Sequence, residues 1–294
     1  MDMVSVLQRL VLLCGLTFLL FSASASAIDI KHSKARKGSV MDEYAIDLLK
    51  FLIEVKGEVP NLTPYEGSPS QPRKEIQLRT GELDVDWFGG STADERRVEP
   101  IRYPIFRGLL GFRIFIANRS AGELLSHDIS ENELKNLTVV QGEGWGDVEA
   151  LRSGGFKKVK TLSDFESLFR MIAIGRADLF PRSIIEPYGE LAARCQLDKN
   201  NWCKDANLMI DSHFLVAYRF PLFFFVSPER PDLKVLLTGA FRDHYDEFLT
   251  FFNEHPLVKT TLKKMKGRKV IRIDSTDHLS RKTKEIENKY WLKI

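Results

Sequence analysis

Residues 81–106, GELDVDWFGGSTADERRVEPIRYPIF, hold the pattern that decides the fold. Residues 83–88 are predicted to form a strand, and Gly89-Gly90 then predicts a turn. A short helical segment carrying Arg96 follows the turn. A strand that ends beside a helix start and an arginine can direct N–H groups and a guanidinium at one small carboxylate. The stretch therefore predicts an α/β unit with an anion-binding site at the strand end.

Strand-like and helix-like segments alternate on both sides of this stretch, which favours an α/β fold. Residues 60–72 are polar and proline-rich and are predicted to form a loop. The predicted strands are 27–32, 83–88, 109–117, 138–141, 157–161, 177–180, 215–226 and 269–274. The predicted helices are 40–55, 71–80, 146–153, 163–174, 187–194, 231–238 and 243–255.

Two long β-prone runs, LLGFRIFIA (109–117) and LVAYRFPLFFFV (215–226), enclose a separate α/β block. Such an arrangement predicts two lobes joined by two hinge passages, near 112–118 and 214–220. Within the second run, Phe223, Phe224 and Phe225 are expected to be buried. The predicted boundaries are 28–114 with 217–275 for lobe 1, 115–216 for lobe 2, and 276–294 for a C-terminal tail.

The first 27 residues predict a cleaved export signal. One arginine precedes an apolar run at 10–21, and the small residues SASASA (22–27) supply the A-x-A pattern of a cleavage site. The apolar run is short for a membrane-spanning helix, which needs about 20 apolar residues. The mature chain would begin at Ile28 and lie in the periplasm.

Two cysteines remain after that cleavage, Cys195 and Cys203, and both lie in the polar segment CQLDKNNWC. In an oxidising compartment two cysteines that close a short loop usually form a disulfide. Free thiols and a metal site are the alternatives. No second cysteine pair or neighbouring histidine completes a ligand set in the sequence, so no metal is expected.

The composition is that of a globular protein with substantial cores, 44% hydrophobic and 28% charged residues. A net charge of +3 is too small to indicate nucleic-acid binding. The sequence contains no H-E-x-x-H, G-x-S-x-G or Walker-type motif. We therefore expect a protein that is not an enzyme and has no cofactor. A lyase activity would need one acid in a cleft, and Glu143 or Glu186 could supply it.

Four segments together resemble the type 2 periplasmic solute-binding proteins, in the branch related to polar amino acid receptors (bacterial extracellular solute-binding family 3). The resemblance covers approximately residues 28–275. It implies two α/β lobes, two hinge strands, and a ligand held in the cleft by hinge closure. The segments are LRTGELDVDWFGGSTADERRVEPIRYPIF, LLGFRIFIA, LTVVQGEGWGDVEALRSGGF and GRADLFPRSIIE.

The first-lobe motif of these receptors is S-x-T-x-x-R, whose arginine binds the ligand carboxylate. Here the pattern runs from Ser91 to Arg96, with Thr92 one position earlier than in the motif. The resemblance implies that all three residues bind ligand. Arg96 could instead form a surface ion pair. Thr92 and Glu95 also match a helix capping box.

The second-lobe motif is V-G-V-Q-x-G-T, and residues 139–145 read VVQGEGW. Trp145 replaces the threonine, so Gly144 and Trp145 are expected at the ligand. Arg182 lies near the position of an acid that pairs with the α-amine, and is either a second anion clamp or part of a lobe-2 ion pair. Trp87, at the end of its strand, either stacks on the ligand or packs in the core or cleft wall without touching it.

These features predict an exported solute-binding protein that captures a small carboxylate or amino-acid-like metabolite between its lobes. The alternative is an extracytoplasmic sensing or interaction module for a membrane signalling partner. The expected partners are a small-molecule ligand and a membrane permease or sensor, with no nucleic acid, and the protein is expected to be monomeric.

Overall fold

The structure is a computed structural model that describes residues 27–36, 38–66, 70–197 and 208–293. The side chains of residues 92–94 and 195–197 lie outside this description. The proposed export signal, apart from Ala27, and the Cys195–Cys203 disulfide are also outside it and remain predictions. Within the described ranges, no helix is both long and apolar enough to cross a membrane.

The first sheet consists of β1 (Ala27–Ser33), β2 (Val59–Tyr65), β3 (Val85–Gly89), β4 (Pro100–Ile101) and β11 (Leu222–Val226). Its strands lie in the order β2-β1-β3-β11-β4. β1 is parallel to β2 and β3, whereas β11 is antiparallel to β3 and β4. A late segment of the chain therefore lies in the middle of an early sheet.

The second sheet contains β5 (Phe112–Ala117), β6 (Thr138–Gly142), β7 (Lys158–Leu162), β8 (Leu179–Ser183), β9 (Met209–Ile210), β10 (Phe214–Ala217) and β12 (Lys269–Arg272). Its main order is β12-β10-β5-β8-β6-β7, and β9 pairs with β5. The two sheets have no strand in common, which gives the molecule two lobes.

The helices beside the first sheet are α1 (Val40–Glu54), α2 (Gln71–Arg79), α3 (Thr92–Arg97), α9 (Pro231–Asp243), α10 (Tyr245–Glu254), α11 (Pro256–Met265) and α12 (Arg281–Lys284). Helix α1 shows why these segments fold locally. The Ser39 hydroxyl accepts a hydrogen bond from the Asp42 N–H at its start. One face of the helix is then buried against the lobe.

The helices beside the second sheet are α4 (Arg119–Ser126), α5 (Glu131–Asn136), α6 (Asp147–Ser153), α7 (Phe165–Ala173) and α8 (Pro187–Leu197). Helix α7 begins slightly later than the predicted 163–174. Its N-cap is Asp164, whose carboxylate accepts a hydrogen bond from the Ser167 N–H at 2.8 Å. Aspartate is among the most favourable residues at this position.

The loop predicted at 60–72 is wrong in its first half, because β2 occupies Val59–Tyr65. β2 is the edge strand of the first sheet, with Pro60 opposite Ile28 and Pro64 opposite His32. A proline lacks the N–H of a ladder bond, and an edge strand tolerates this loss. The two prolines therefore predicted a loop where the sheet has room for an edge strand.

The chain passes between the sheets at residues 102–111 and 218–221. The predicted hinge segments lie largely inside β5 and β10, so the passages are displaced toward the first sheet. Two further passages, 266–268 and 273–279, lead into and out of β12. The predicted lobe 1 segment 217–275 thus contains a strand of the second sheet.

The apolar core is continuous across both lobes, from α1 through the hinge to β8 and β10. Phe223, Phe224 and Phe225 are fully buried, as expected. The C-terminal residues are also packed: Trp291 lies against Gly108, and the Leu292 N–H donates to the Arg107 carbonyl at 2.7 Å. The 276–294 segment is therefore attached to the first hinge passage.

Candidate functional site

A cavity of about 340 Å³ lies between the lobes. The first lobe contributes the end of the β3 turn and helix α3, and the second lobe contributes the β6–α6 segment with part of β7. The lining residues are Ser91, Arg96, Gly144, Trp145, Gly146, Val148, Glu149, Arg152 and Thr161. Four of the residues predicted to bind ligand, Ser91, Arg96, Gly144 and Trp145, thus surround one space.

The lobes touch at the edge of this cavity, at Ser91 and Gly146. A methyl group added to Gly146 would lie 2.4 Å from Ser91 Cβ and 3.0 Å from Ser91 Oγ. It would also lie 3.3 Å from the ring of Phe220, on the second hinge passage. The absence of a side chain at Gly146 is therefore what lets the lobes approach each other here.

Helix α3 directs its two arginines in different directions, as expected for neighbouring residues on a helical turn. Arg96 is exposed and lines the cavity. Arg97 donates from Nη1 to Glu75 Oε2 at 2.8 Å, within the first lobe. Only Arg96 is thus placed to meet a ligand.

The capping box expected between Thr92 and Glu95 stays a prediction, because the Thr92 side chain lies outside the described residues. The Glu95 carboxylate accepts hydrogen bonds from Arg102, from Ser280 Oγ at 2.6 Å and from Thr283 Oγ1 at 2.5 Å. The C-terminal segment therefore holds the helix that carries Arg96. The backbone of Thr92 begins α3, and its side chain lies outside the described residues.

The cavity carries charges of both signs. Arg96 and Arg152 are cationic, and Glu149 is one turn before Arg152 on helix α6. Arg152 also donates weakly to the Val159 carbonyl at 3.5 Å, which keeps it near β7. Two cations and one carboxylate around a small space suit a zwitterionic or anionic ligand.

Glu149, Arg152, Gly146 and Thr161 were not predicted as site residues. For Glu149 and Arg152 the sequence did contain a signal, because both positions lie on one face of the predicted helix 146–153. What the sequence did not reveal is that this face is directed toward the other lobe.

Trp145 is half-buried and folds back over the end of its own strand. A methyl group on Gly142 would lie 2.2 Å from the indole, so glycine is required there. The indole stacks near Phe180, with the ring centroids 6.4 Å apart. The Arg182 guanidinium lies 5.0 Å from the indole centroid. Trp145 therefore forms a rigid wall between the cavity and the second-lobe core.

Trp87 is placed in the core and not beside this cavity. Its side chain is buried, with Nε1 donating to Asp42 Oδ1 at 2.9 Å. Its ring packs edge-on against Phe224, at a centroid distance of 6.3 Å. The first of the two interpretations of Trp87, ligand contact, is thus replaced by core packing with a satisfied indole N–H.

Arg182 is likewise absent from the cavity lining. Its guanidinium is buried and donates to Glu186 Oε1 at 2.5 Å and to Glu190 Oε2 at 2.9 Å. Although burial opposes it, these two carboxylates raise the pKa of Arg182. The predicted anion clamp is an internal ion pair, because two acids on the chain itself already occupy its donors.

A buried charge cluster joins the lobes near Arg182. Arg36 donates to Asp42 Oδ2 at 3.1 Å in the first lobe. Although burial opposes it, Asp42, Glu190 and Glu186 together raise the pKa of Arg36. Arg36 therefore lies within electrostatic reach of the second-lobe acids.

Backbone packing brings the lobes together at the same place. A methyl group on Gly189 would lie 2.6 Å from the Gly38 carbonyl oxygen. A side chain at Gly189 would separate the loop before α1 from helix α8. Sequence reasoning missed this contact, since the two glycines are far apart in the chain.

No protein-family model matches the sequence, and no curated protein matches it. Solved structures do superpose on it. An ancestral arginine-binding protein bound to arginine has a TM-score of 0.50 and 14% identity, over 78% of this chain and 97% of its own. A protein described as the binding component of an ABC transporter from Wolinella succinogenes DSM 1740, complexed with lysine, has a TM-score of 0.50 and 17% identity, over 78% and 94% of the two chains.

The periplasmic VFT2 domain of BvgS from Bordetella pertussis is also similar. Its TM-score is 0.51 at 13% identity, over 79% of this chain and 94% of that domain. At such identities the similarity concerns the fold. The two-lobed type 2 periplasmic binding fold predicted from the sequence is thereby confirmed.

Proposed function

We propose that this protein is an exported solute-binding protein that captures a small carboxylate or amino-acid-like metabolite between its lobes. One observation carries the proposal: the interlobe cavity of about 340 Å³ has Arg96 on one wall and Glu149 with Arg152 on the other. Binding pockets for small molecules start at about this size. A ligand there would contact both lobes and favour their closure.

The cavity residues suggest a role for each end of the ligand. Arg96 pairs with the carboxylate, since a guanidinium matches both carboxylate oxygens. Glu149 receives an ammonium group, and Arg152 offers a second anion site when the ligand side chain is acidic. Ser91 contributes its hydroxyl at the lobe contact, and Trp145 supplies the apolar wall.

The structural neighbours support this ligand class, since two of them hold arginine and lysine. The export signal proposed for residues 1–27 places the protein in the periplasm. A membrane permease is the corresponding protein partner, and the proposed Cys195–Cys203 disulfide suits that compartment.

Thermal shift of residues 28–294 against the twenty standard amino acids and a set of dicarboxylates tests the proposal. A binder raises the melting temperature in proportion to its affinity and concentration. Isothermal titration of any hit should then give one site per chain. A flat response to the whole panel would contradict the proposal.

Arg96→Ala is the decisive variant, with Arg97→Ala as its matched neighbour. Removing a charge partner of a desolvated carboxylate costs about 2–5 kcal/mol, or roughly 30-fold to several thousand-fold in affinity. Arg97 is on the same helix as Arg96 but pairs with Glu75 of helix α2. Removal of the Arg97 side chain should therefore leave the ligand affinity unchanged. Equal effects of the two variants would remove Arg96 from the site.

A second function, a sensing module for a membrane signalling partner, is favoured by the interlobe contacts. The lobes already touch at Ser91–Gly146 and at Gly38–Gly189 through residues of the chain itself. A sensor can use such a closed form as one of its two states, and the BvgS VFT2 domain has the same fold. Pull-down with a membrane fraction, with and without the hit ligand, distinguishes a permease from a sensor protein.

A further inference from the structure

A second cavity, of about 590 Å³, lies behind the hinge. Both hinge passages contribute to it, through Arg107 and Gly108 on one and Tyr218 and Arg219 on the other. The end of β12 with the passage after it, and the C-terminal segment with Trp291, form the remaining walls. None of its lining residues is shared with the interlobe cavity. It is therefore a separate space, bounded by the parts of the chain that must bend when the lobes move.

The charges around this hinge cavity are unequal. Among the described residues of the lining, Arg107, Arg219, Arg272 and Lys293 are cations and Asp274 is the one acid. Throughout the part of the chain that the structure describes, none of these four cations forms an ion pair with a carboxylate. Cations gathered along a concave wall reinforce one another's potential and attract an anion.

Two of the guanidiniums are held in place by neutral groups. Arg107 donates from Nη2 to the carbonyls of Lys289, at 3.1 Å, and Trp291, at 3.4 Å. Arg219 donates to the Asn288 side-chain oxygen and lies 5.1 Å from the Trp291 ring centroid. Neutral partners orient a guanidinium and leave its charge uncompensated. The neutral partners thus fix the positions of Arg107 and Arg219 without neutralising their positive charge.

We propose that the hinge cavity binds a small polyanion, a metabolite with two or more phosphate or carboxylate groups. Guanidinium donors match these oxyanions in geometry as well as charge. A cavity of about 590 Å³ exceeds what a single phosphate fills. Besides the cations, Thr276 and Asn288 give the lining neutral polar side chains.

Occupancy of the hinge cavity would affect the lobes, because its walls include both passages. A ligand that fits one hinge angle better than another shifts the equilibrium toward that angle. The same ligand then changes affinity in the interlobe cavity by thermodynamic linkage. The polyanion site does not depend on the proposed function, since it can be measured without the cleft ligand.

The test is isothermal titration of residues 28–294 with sodium pyrophosphate and, separately, with citrate. We expect saturable binding of at least one of them, with one site per chain. Arg272→Ala/Lys293→Ala should weaken it by about 10-fold or more, since the variant removes two of the four cations that line the cavity. Both side chains are exposed, so the variant should fold normally.

Arg281→Ala/Lys282→Ala is the matched control on helix α12. This control variant removes two positive charges, as the test variant does. Both of its cations are exposed and lie outside the cavity lining. It should bind the probe within about twofold of wild type, because distant exposed charges are screened. Equal weakening by both double variants, or no saturable binding of either probe, overturns the proposal. A loss caused by Arg96→Ala alone would place the anion in the interlobe cavity and overturn it too.

Discussion

Gly146→Ala should hold the lobes apart without damaging either one. Gly146 has φ −63° and ψ −20°, a backbone conformation that alanine adopts readily. The added methyl group would lie 2.4 Å from Ser91 Cβ, whereas carbon atoms pack at about 3.5–4.0 Å. The lobes must therefore separate by more than about 1 Å at this contact. The clash exists in the closed form and disappears once the lobes part.

The size of the effect follows from the cost of that overlap. An extra methyl group in a packed contact costs about 1–3 kcal/mol. If closure alone carries this cost, ligand affinity falls by about 5- to 150-fold. Without ligand, the radius of gyration should rise in small-angle X-ray scattering, since the open form becomes more populated.

Gly239→Ala is the control, because a methyl group on Gly239 in helix α9 would have its nearest neighbour at 3.8 Å. It should leave both affinity and scattering unchanged. Isothermal titration with the ligand found by thermal shift gives the affinities. Unchanged affinity and scattering in Gly146→Ala would refute the argument that the lobes meet at Ser91.

Three further predictions concern stability. Arg182→Ala removes the cation that the buried Glu186 and Glu190 share, and leaves Glu186, among the described residues, only the Arg113 guanidinium within ion-pair distance, at 3.6 Å. It should lower the free energy of unfolding by about 3–5 kcal/mol in urea denaturation; a change below about 1 kcal/mol would contradict the ion-pair assignment. Thr283→Val should cost about 1–3 kcal/mol, since the buried hydroxyl donates to Glu95, whereas Thr250→Val on an exposed helix face should cost less. Burial lowers the pKa of His278 below its ordinary 6.5, so the unfolded chain binds the proton more readily just below that pH. Stability should therefore fall as the pH drops from about 7 toward 5, and His278→Asn should make the fall smaller; an equal slope in both proteins would exclude His278.

Local patterns predicted the parts of the site that depend on short stretches of chain. The strand, turn and helix of 81–106 brought Ser91 and Arg96 to the cavity, and the segment after β6 brought Gly144 and Trp145 there. Each of these positions is set within about ten residues by strand ends and glycine turns. The α/β class followed from the alternation of strands and helices, and the two lobes followed from the two long β-prone runs at 109–117 and 215–226 together with the family resemblance.

The sequence-based interpretation failed where the partners of a residue or a strand could not be predicted from local patterns. Trp87 is satisfied by Asp42, 45 residues earlier in the chain. Arg182 pairs with Glu186, just before helix α8, and with Glu190 on that helix, so its partners are close in sequence but their directions were not predicted. β12 joins a sheet formed by earlier strands. Hydrophobic periodicity does not report such pairings, because it describes only which face of an element is apolar.

The two extra passages on either side of β12 change how the molecule can move. Two linking segments allow the lobes to rotate about one hinge axis. Four linking segments restrict that rotation more strongly, because each of them must deform when the lobes move. Wide opening would have to distort the short passage 266–268 that leads into β12, or detach the C-terminal residues from Arg107. We therefore expect the lobes to open by a small angle, and not by the large rotation that two hinge segments alone would allow. Solutes would then enter past the rim formed by Arg96 and Arg152, which would select them by charge before the lobes close.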